Sequence, residues 1–412
     1  MQEAARVAGY EARFRALPLA VTFDSEWHYG LEDPLSGRHS RPWTNRHGQL
    51  QGTCVHCGNC DIGCQVRAKN TLDLNYIPEA ERHGAEVRPL HLVTALAPEP
   101  GRGYRVSFDR LVGGRREPGS ETARLVVLAA GSLGSTELLL RCRDEHRTLP
   151  AISDFLGRNW SANGDFLTPA TYRGRAVSPS RGPTITCGID FLDGDVDGER
   201  FFIEDGGFPD LLQTFAEPAG RRGRRTTLVG LSRESMSLAR SPRHAVALSR
   251  FTPSLSTATR ALGRLFGTGA PLGEVMPWFA QGVDAGDGRL YLGRRWLTPW
   301  RRHLKLDWDL RRSRAVMDAI VAMHCRLSEA SGGRARVPLS WRLLGSLITP
   351  HPLGGCGMGV TPGLGVVDHR GAVFGYPGLY VADGAIVPRP LGLNPSKTIA
   401  ALAERIAALI PA

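Results

Sequence analysis

The chain closes on a segment that fixes its own geometry. Asn394 is a preferred helix N-cap residue, and Pro395 suits the first helical position, where its missing N–H has no partner to lose. Behind them Ile399, Leu402, Ala403, Ile406, Leu409 and Ile410 recur at helical spacing, which predicts a helix with one buried face. A helix held by such a face can aim its N-terminal N–H groups at a ligand. Just upstream, Leu379–Ala382 reads as a strand running into Asp383-Gly384. A similar turn comes early in the chain: Arg124–Ala129 reads as a short buried strand that enters Ala130-Gly131-Ser132 and a helix through Cys142. Strand–Gly–helix turns are places where α/β proteins hold nucleotides.

Between these ends the pattern predicts an α/β (α+β) protein of two domains. Its 412 residues are ample for that, and 49 glycines and 28 prolines imply many turns. The expected division is 1–150, a first domain; 151–345, a second; and 346–412, a return to the first. Residues 2–17 read as a helix and Leu19–Phe23 as a strand. Thr71–His83 reads as a helix stopped by Gly84 and kinked by Pro78. Strands are expected at 85–93 and 103–109. In the second domain Thr184–Phe191, Phe201–Ile203 and 301–308 read as antiparallel strands. Helical stretches are expected near 210–265, and a helix over Arg314–Ala330 that stops at Gly332.

Charge and hydropathy narrow the classes. The net charge is +11, carried almost wholly by arginine, since Lys69, Lys305 and Lys397 are the only lysines. The densest run, Arg221, Arg222, Arg224 and Arg225, reads as a solvated loop, with an anion or membrane-surface patch as the alternative. No nucleic-acid signature accompanies it. No apolar run reaches the roughly 18 residues of a membrane span. Met1–Leu17 lacks the apolar core of a secretion signal, so a cytoplasmic location is expected.

Two constellations carry chemistry. Cys54-x2-Cys57-x2-Cys60-x3-Cys64 has the spacing of a ferredoxin-type run, with Gln65 where a proline is customary. An iron–sulfur cluster is the expectation; zinc, and cysteines that are merely buried or disulfide-bonded, are the alternatives. The second begins at His351, in the Gly-dense loop His351-Pro-Leu-Gly-Gly-Cys-Gly-Met358-Gly359, and ends at Leu391-Gly-Leu-Asn394-Pro395-Ser396. Oxidising an alcohol on a flavin needs a base for the hydroxyl proton, a polar group to fix the oxygen, and positive potential for the reduced ring. His351, Asn394 and the helix after Pro395 supply these three elements, and Asp383-Gly384 suits the ribityl or pyrophosphate part of such a cofactor.

The segment from His351 to Ile410 resembles the C-terminal signature of the glucose–methanol–choline (GMC) oxidoreductases, and most of all their cholesterol oxidase branch. His-Pro-Leu-Gly-Gly-Cys at 351–356, Gly-Leu-Tyr-Val-Ala-Asp-Gly at 378–384 and Asn-Pro at 394–395 carry the likeness. Ala68-Lys-Asn-Thr-Leu-Asp73 and Leu128-Ala-Ala-Gly-Ser-Leu-Gly-Ser135 extend it. The resemblance implies a GMC-type FAD-binding domain and an antiparallel-sheet substrate domain. It implies His351 as the catalytic histidine and Asn394 as the group that polarises the oxygen. It places FAD against Ala130, Gly131, Asp383, Gly384, Asn394, Pro395 and Ser396. It also implies Glu204, in Phe202-Ile-Glu204-Asp-Gly-Gly-Phe-Pro209, as a base that isomerises a sterol double bond.

One departure is large. The Gly-x-Gly-x-x-Gly turn with which GMC enzymes open is missing, and Gly355-Cys-Gly357-Met-Gly359 is mis-spaced for it. The expectation is a start set too late or one piece of a split gene, with weak FAD binding by this chain alone. The leading reading is oxidation of a 3β-hydroxysterol or similar hydroxylated lipid, with O2 or an electron carrier as acceptor and isomerisation as an added step. The alternatives are a GMC dehydrogenase for another alcohol or a sugar, passing electrons through the cysteine cluster, and a non-catalytic fragment.

Overall fold

The computed structural model describes residues 1–209, 272–296, 298–338, 341 and 347–411. The helical stretches expected near 210–265 and the arginines at 221–225 lie outside them. The fold is mixed, as expected: one parallel strand pair and several antiparallel sheets.

Two cores organise it. The first gathers around the parallel pair β7 (Val126–Leu128) and β15 (Leu379–Val381), in which Val126 faces Leu379 and Leu128 faces Val381. Helix α3 (Gly131–Asp144) follows β7 and buries Leu138, Leu139, Leu140 and Cys142. These meet Leu96, Val366, Ile386 and Ile406 from distant parts of the chain. Leu96 belongs to a three-stranded antiparallel sheet of β4 (His91–Glu99), β5 (Gly103–Val112) and β6 (Arg115–Ala123).

The second core lies between a six-stranded antiparallel sheet and a helix. The strand order is β1 (Phe14–Ala16), β9 (Cys187–Phe191), β10 (Phe201–Asp205), β11 (Val275–Gly282), β8 (Phe166–Thr171) and β14 (Arg334–Ala335). Helix α4 (Arg314–Ala330) buries Val316, Ile320, Met323 and Leu327, which recur at helical spacing, against the sheet. Strand period decides which side chains they meet. Phe201 and Ile203 of β10, and Trp278 and Ala280 of β11, join that core, and Trp278 Nε1 donates to Ser328 Oγ of α4 at 2.9 Å. Their neighbours Glu204, Phe279 and Gln281 therefore share the opposite face. A hairpin of β12 (Arg289–Arg295) and β13 (Thr298–Asp307) packs Leu292 and Leu304 on the first core.

Several local expectations are corrected. The first helix, α1 (Gln2–Val7), is short because Gly9, at φ +82°, ends it; residues 14–16 then pair with β9. Its Ala4 and Ala5 lie in the second core. Pro78 does not kink its helix. That helix, α2 (Tyr76–Arg82), starts only two residues earlier, capped by Asn75, so the proline sits in the first turn, where no intrahelical N–H bond is lost. The strand expected at 85–93 starts instead at His91, and β6 was not foreseen. It is an edge strand, where Pro118 is tolerated, and Gly119 leaves room for the Phe108 ring: a Cβ there would stand 2.6 Å from it. No helix among the described residues is long and apolar enough to cross a membrane.

Candidate active site

The loop 161–165, leading into β8, organises the site. The buried carboxylate of Asp284 accepts from Ser161 Oγ (2.8 Å), Ala162 N (3.1 Å) and Gly164 N (3.2 Å), and so pins the loop. A Cβ on Gly164, at φ +62°, would stand 2.4 Å from the Gly282 backbone, so only glycine fits. Between these anchors Asn163 clamps the segment before Asn394. Its Oδ1 accepts from Leu391 N (2.8 Å) and Gly392 N (3.0 Å), and its Nδ2 donates to Leu393 O (2.8 Å).

Asp165, fully buried, does the same for the histidine loop. Its Oδ2 accepts from His351 N (3.1 Å) and Thr349 Oγ1 (2.5 Å), and its Oδ1 lies 2.9 Å from His351 Nδ1. A carboxylate there makes Nδ1 the protonated nitrogen and leaves Nε2 as the ring's acceptor. Burial raises the Asp165 carboxyl above the ordinary range, against the lowering effect of its bonds to His351 and Thr349.

Glu204 closes the site from the sheet. Its Oε2 accepts from Gln281 Nε2 (3.0 Å) and Asn394 Nδ2 (3.3 Å). Burial is again the largest influence and raises its pKa; the two amides and nearby His351 oppose it. Phe279, opposite Glu204 in the β10–β11 register, stands with its ring centroid 6.0 Å from that of His351. The structure thus brings His351, Asn394 and Glu204 together from three distant stretches of chain. Gln281 Oε1 is buried there without a partner among the described residues, an acceptor suited to a polar ligand.

Asn394 does not cap the last helix, as the sequence suggested. Helix α5 (Ser396–Leu409) begins with Pro395 as N-cap and without any side-chain cap, because the Asn394 amide is turned to Glu204. Its first-turn N–H groups, with Ser396 and Lys397 exposed, fit the anionic edge of a cofactor. Of its apolar stripe only Ile406 is buried; Leu409 is exposed.

Asp383 joins the two strand–turn ends. Its carboxylate accepts from Gly131 N (2.9 Å), Ser135 Oγ (2.5 Å) and Ala385 N (2.8 Å), so it ties the start of α3 to the turn after β15. This gathers Ala130, Gly131, Asp383 and Gly384. Gly131, at φ +76°, has open space where a Cβ would stand, and a Cβ on the buried Gly384 would stand 3.3 Å from Ile399 Cδ1. Ala130 N also donates within the protein, to Ser135 Oγ (3.1 Å), so what this turn offers a nucleotide cofactor is the open space beside Gly131 and not free backbone donors.

The iron–sulfur expectation is not supported. Among the described residues no group of three or more His, Cys, Asp or Glu side chains is arranged to hold a metal ion. Cys54, Cys57, Cys60 and Cys64 are all free thiols. Their loop folds on other contacts: Cys54 Sγ accepts from His56 N (3.3 Å), Cys64 Sγ from Ala68 N (3.2 Å), and Gly182 N donates to His56 O (2.9 Å). Burial, with the nearby thiols Cys57, Cys60 and Cys64 adding to it, pushes the Cys54 thiol up to about 11.

Asp165, Asn163, Gln281 and Asp284 were missed by sequence reasoning. The one available signal was Ser161-Ala-Asn-Gly-Asp165 standing before an apolar strand, a dense set of turn formers and acceptors.

Fold and site can be set beside known proteins. Residues 299–403 match the GMC oxidoreductase family. That match lies in the C-terminal part of the chain, and across nine tenths of its length the chain is similar to cholesterol oxidases. It is 30% identical over 382 residues to a cholesterol oxidase of Acinetobacter baumannii, covering 90% of this chain and 63% of that one. It is 31% identical over 386 residues to a cholesterol oxidase of Mycobacterium tuberculosis, covering 90% and 61%. The chain therefore spans about three fifths of the length of these relatives. Among solved structures, pyridoxine 4-oxidase from Mesorbium loti aligns with a TM-score of 0.47 at 19% identity, covering 77% of this chain and 56% of that one.

Proposed function

We propose that this chain supplies the reaction centre for FAD-dependent oxidation of a secondary alcohol to a ketone, with a 3β-hydroxysterol as the substrate. The observation that carries the reading is the convergence of His351, anchored through Nδ1, with the Asn394 amide and the Glu204 carboxyl. His351 Nε2 takes the proton of the substrate hydroxyl, and Asn394 orients the oxygen so that the carbinol C–H faces the cofactor. FAD, when bound, supplies the acceptor for that hydride. The uncapped start of α5 at Pro395 and Ser396 would stabilise negative charge on its ring edge, while the turns at Ala130-Gly131 and Asp383-Gly384 would line the space for its other half. In this reading residues 1–150 and 346–412 serve the cofactor and 151–345 the substrate, with the opening strand lent to the substrate sheet.

Glu204 has a second role in the proposal. A carboxyl raised by burial can carry a carbon-bound proton, which is what shifting the double bond of a β,γ-enone requires. The sterol assignment takes its support from the cholesterol oxidases among the relatives. O2 or an external carrier would take the two electrons onward.

The test is anaerobic mixing of FAD-loaded protein with a 3β-hydroxysteroid, followed by flavin absorbance and product analysis. Bleaching that is lost in His351→Ala supports the oxidation. Glu204→Gln should still bleach but release the unisomerised enone. FAD-loaded protein that a sugar bleaches and a steroid does not would overturn the sterol assignment.

A further inference from the structure

The hairpin β12–β13 ends in a sequence the site does not use: Arg294-Arg295-Trp296-Leu297-Thr298-Pro299-Trp300-Arg301-Arg302. Its root is fixed. Leu290 is buried with Trp160, Leu292 and Leu304 pack on the first core, and Trp308 Nε1 donates to Asp287 Oδ1 at 3.1 Å. Toward the tip the register breaks between Arg294 and Arg295, and Thr298 Oγ1 lies 2.8 Å from His303 Nε2. Beyond that the indoles face water: Trp296 is 91% exposed and Trp300 81%. Arg294, Arg295 and Arg301 are exposed beside them, and among the described residues no ion pair joins any of the three. The local field is positive. The His303 pKa is lowered first by desolvation and then by the charges of Arg295 and Arg301.

From this geometry we infer that the tip of the β12–β13 hairpin docks the protein on an anionic lipid bilayer. Indole rings favour the headgroup level of a bilayer, where an apolar body and a polar N–H are both satisfied. Guanidinium groups on either side of the rings match the phosphates at that depth, and anionic leaflets attract such basic clusters. The shape favours a planar interface over a nucleic acid. Single strands are held in basic grooves lined by stacking rings, whereas these rings protrude from the end of a two-stranded ribbon. The inference does not rest on the identity of the substrate, and it needs no membrane-crossing helix.

The experiment uses the full chain and sedimentation with vesicles of phosphatidylcholine, pure or with phosphatidylglycerol. Binding to the anionic vesicles should be about tenfold or more tighter than to neutral ones and should weaken with salt. Trp296→Ala with Trp300→Ala should lower it about tenfold, and Arg294→Gln, Arg295→Gln and Arg301→Gln together by more, since each lost arginine counts for about fivefold. Lipids brominated on the acyl chains should quench the fluorescence of the parent protein but not that of the double tryptophan variant. Because the changed side chains are exposed, circular dichroism and Tm should not move. Undiminished vesicle binding by the double tryptophan variant overturns the proposal. So does a parent protein that ignores anionic vesicles yet binds single-stranded DNA through the same tryptophans.

Discussion

Asp165 shows what one buried carboxylate does at a distance from the chemistry. It touches neither substrate nor cofactor in the proposed reaction; it holds His351 by backbone N–H and ring Nδ1 at once. It is a positioning residue, and Asp165→Asn tests it. An asparagine can offer its N–H to Nδ1 and so move the ring proton to Nε2, where it blocks acceptance of the hydroxyl proton. Turnover should fall on the order of 10²-fold or more with little change in KM. Imidazole nitrogen shifts measured by NMR should report the switched tautomer in the protein without substrate. An unchanged tautomer with lowered turnover would mean that Asp165 acts only through packing.

Burial raises the three carboxyls of the site, Asp165, Glu204 and Asp284. Each ordinarily ionises near pH 4. Between that value and the raised one the folded protein binds more protons than the unfolded chain. Their stabilising contribution is therefore complete below the unfolded pKa and is lost as pH rises through the folded one. Glu204→Gln keeps an acceptor for Gln281 and Asn394 while removing one of these protons. Its urea-unfolding midpoint should fall less between pH 4 and 7 than that of the parent. An identical slope in both proteins would show that Glu204 does not contribute.

At the scale of elements, close approach fixes residue choice where periodicity is silent. Gly58, in the cysteine loop, has φ +72°, and a Cβ there would stand 2.2 Å from Ser180 O. Gly58→Ala must both strain the backbone and push the loop off its neighbour, so it should cost about 2–4 kcal/mol in a denaturant titration. A cost under about 1 kcal/mol would show that the loop can move freely. Elements that bury one face of regular period were legible in advance. Helix α4 matches its expected span, and Gly332, at φ +77°, ends it. Strand β15 and the start of α3 also fell where apolar runs meet glycine. The short strand β1 was not legible, because three residues carry no usable period and its partner β9 lies far along the chain. The cap of α5 was misread for a related reason. Asn394 has the right chemistry for capping, but a buried carboxyl some 190 residues away claims its amide.

At the scale of the whole molecule, the site residues named from the sequence assemble, but their supports could not be foreseen. His351, Asn394 and Glu204 were legible through motif and resemblance. The loop 161–165 that aligns them is a set of contacts between remote segments, and such contacts leave little trace in local pattern. The cysteine spacing was the reverse case, a local pattern of high apparent content for which no metal site is seen among the described residues. Salt should separate the two surfaces of the molecule. Raising ionic strength should weaken vesicle docking at the hairpin steeply and leave turnover on a soluble steroid nearly constant, because the buried carboxyls are screened far less than exposed arginines. Parallel loss of both would place the hairpin in the catalytic site.

The bond from Gly131 N to the Asp383 carboxylate spans 252 residues of chain, and the parallel pairing of β7 with β15 spans a similar stretch. That has a consequence for how the protein is made. During synthesis β7 and α3 emerge long before their partners and wait with an unpaired edge. The first core, and with it the reaction centre, can close only after β15 and α5 have left the ribosome, so assembly of the site waits on long-range contacts and is slow.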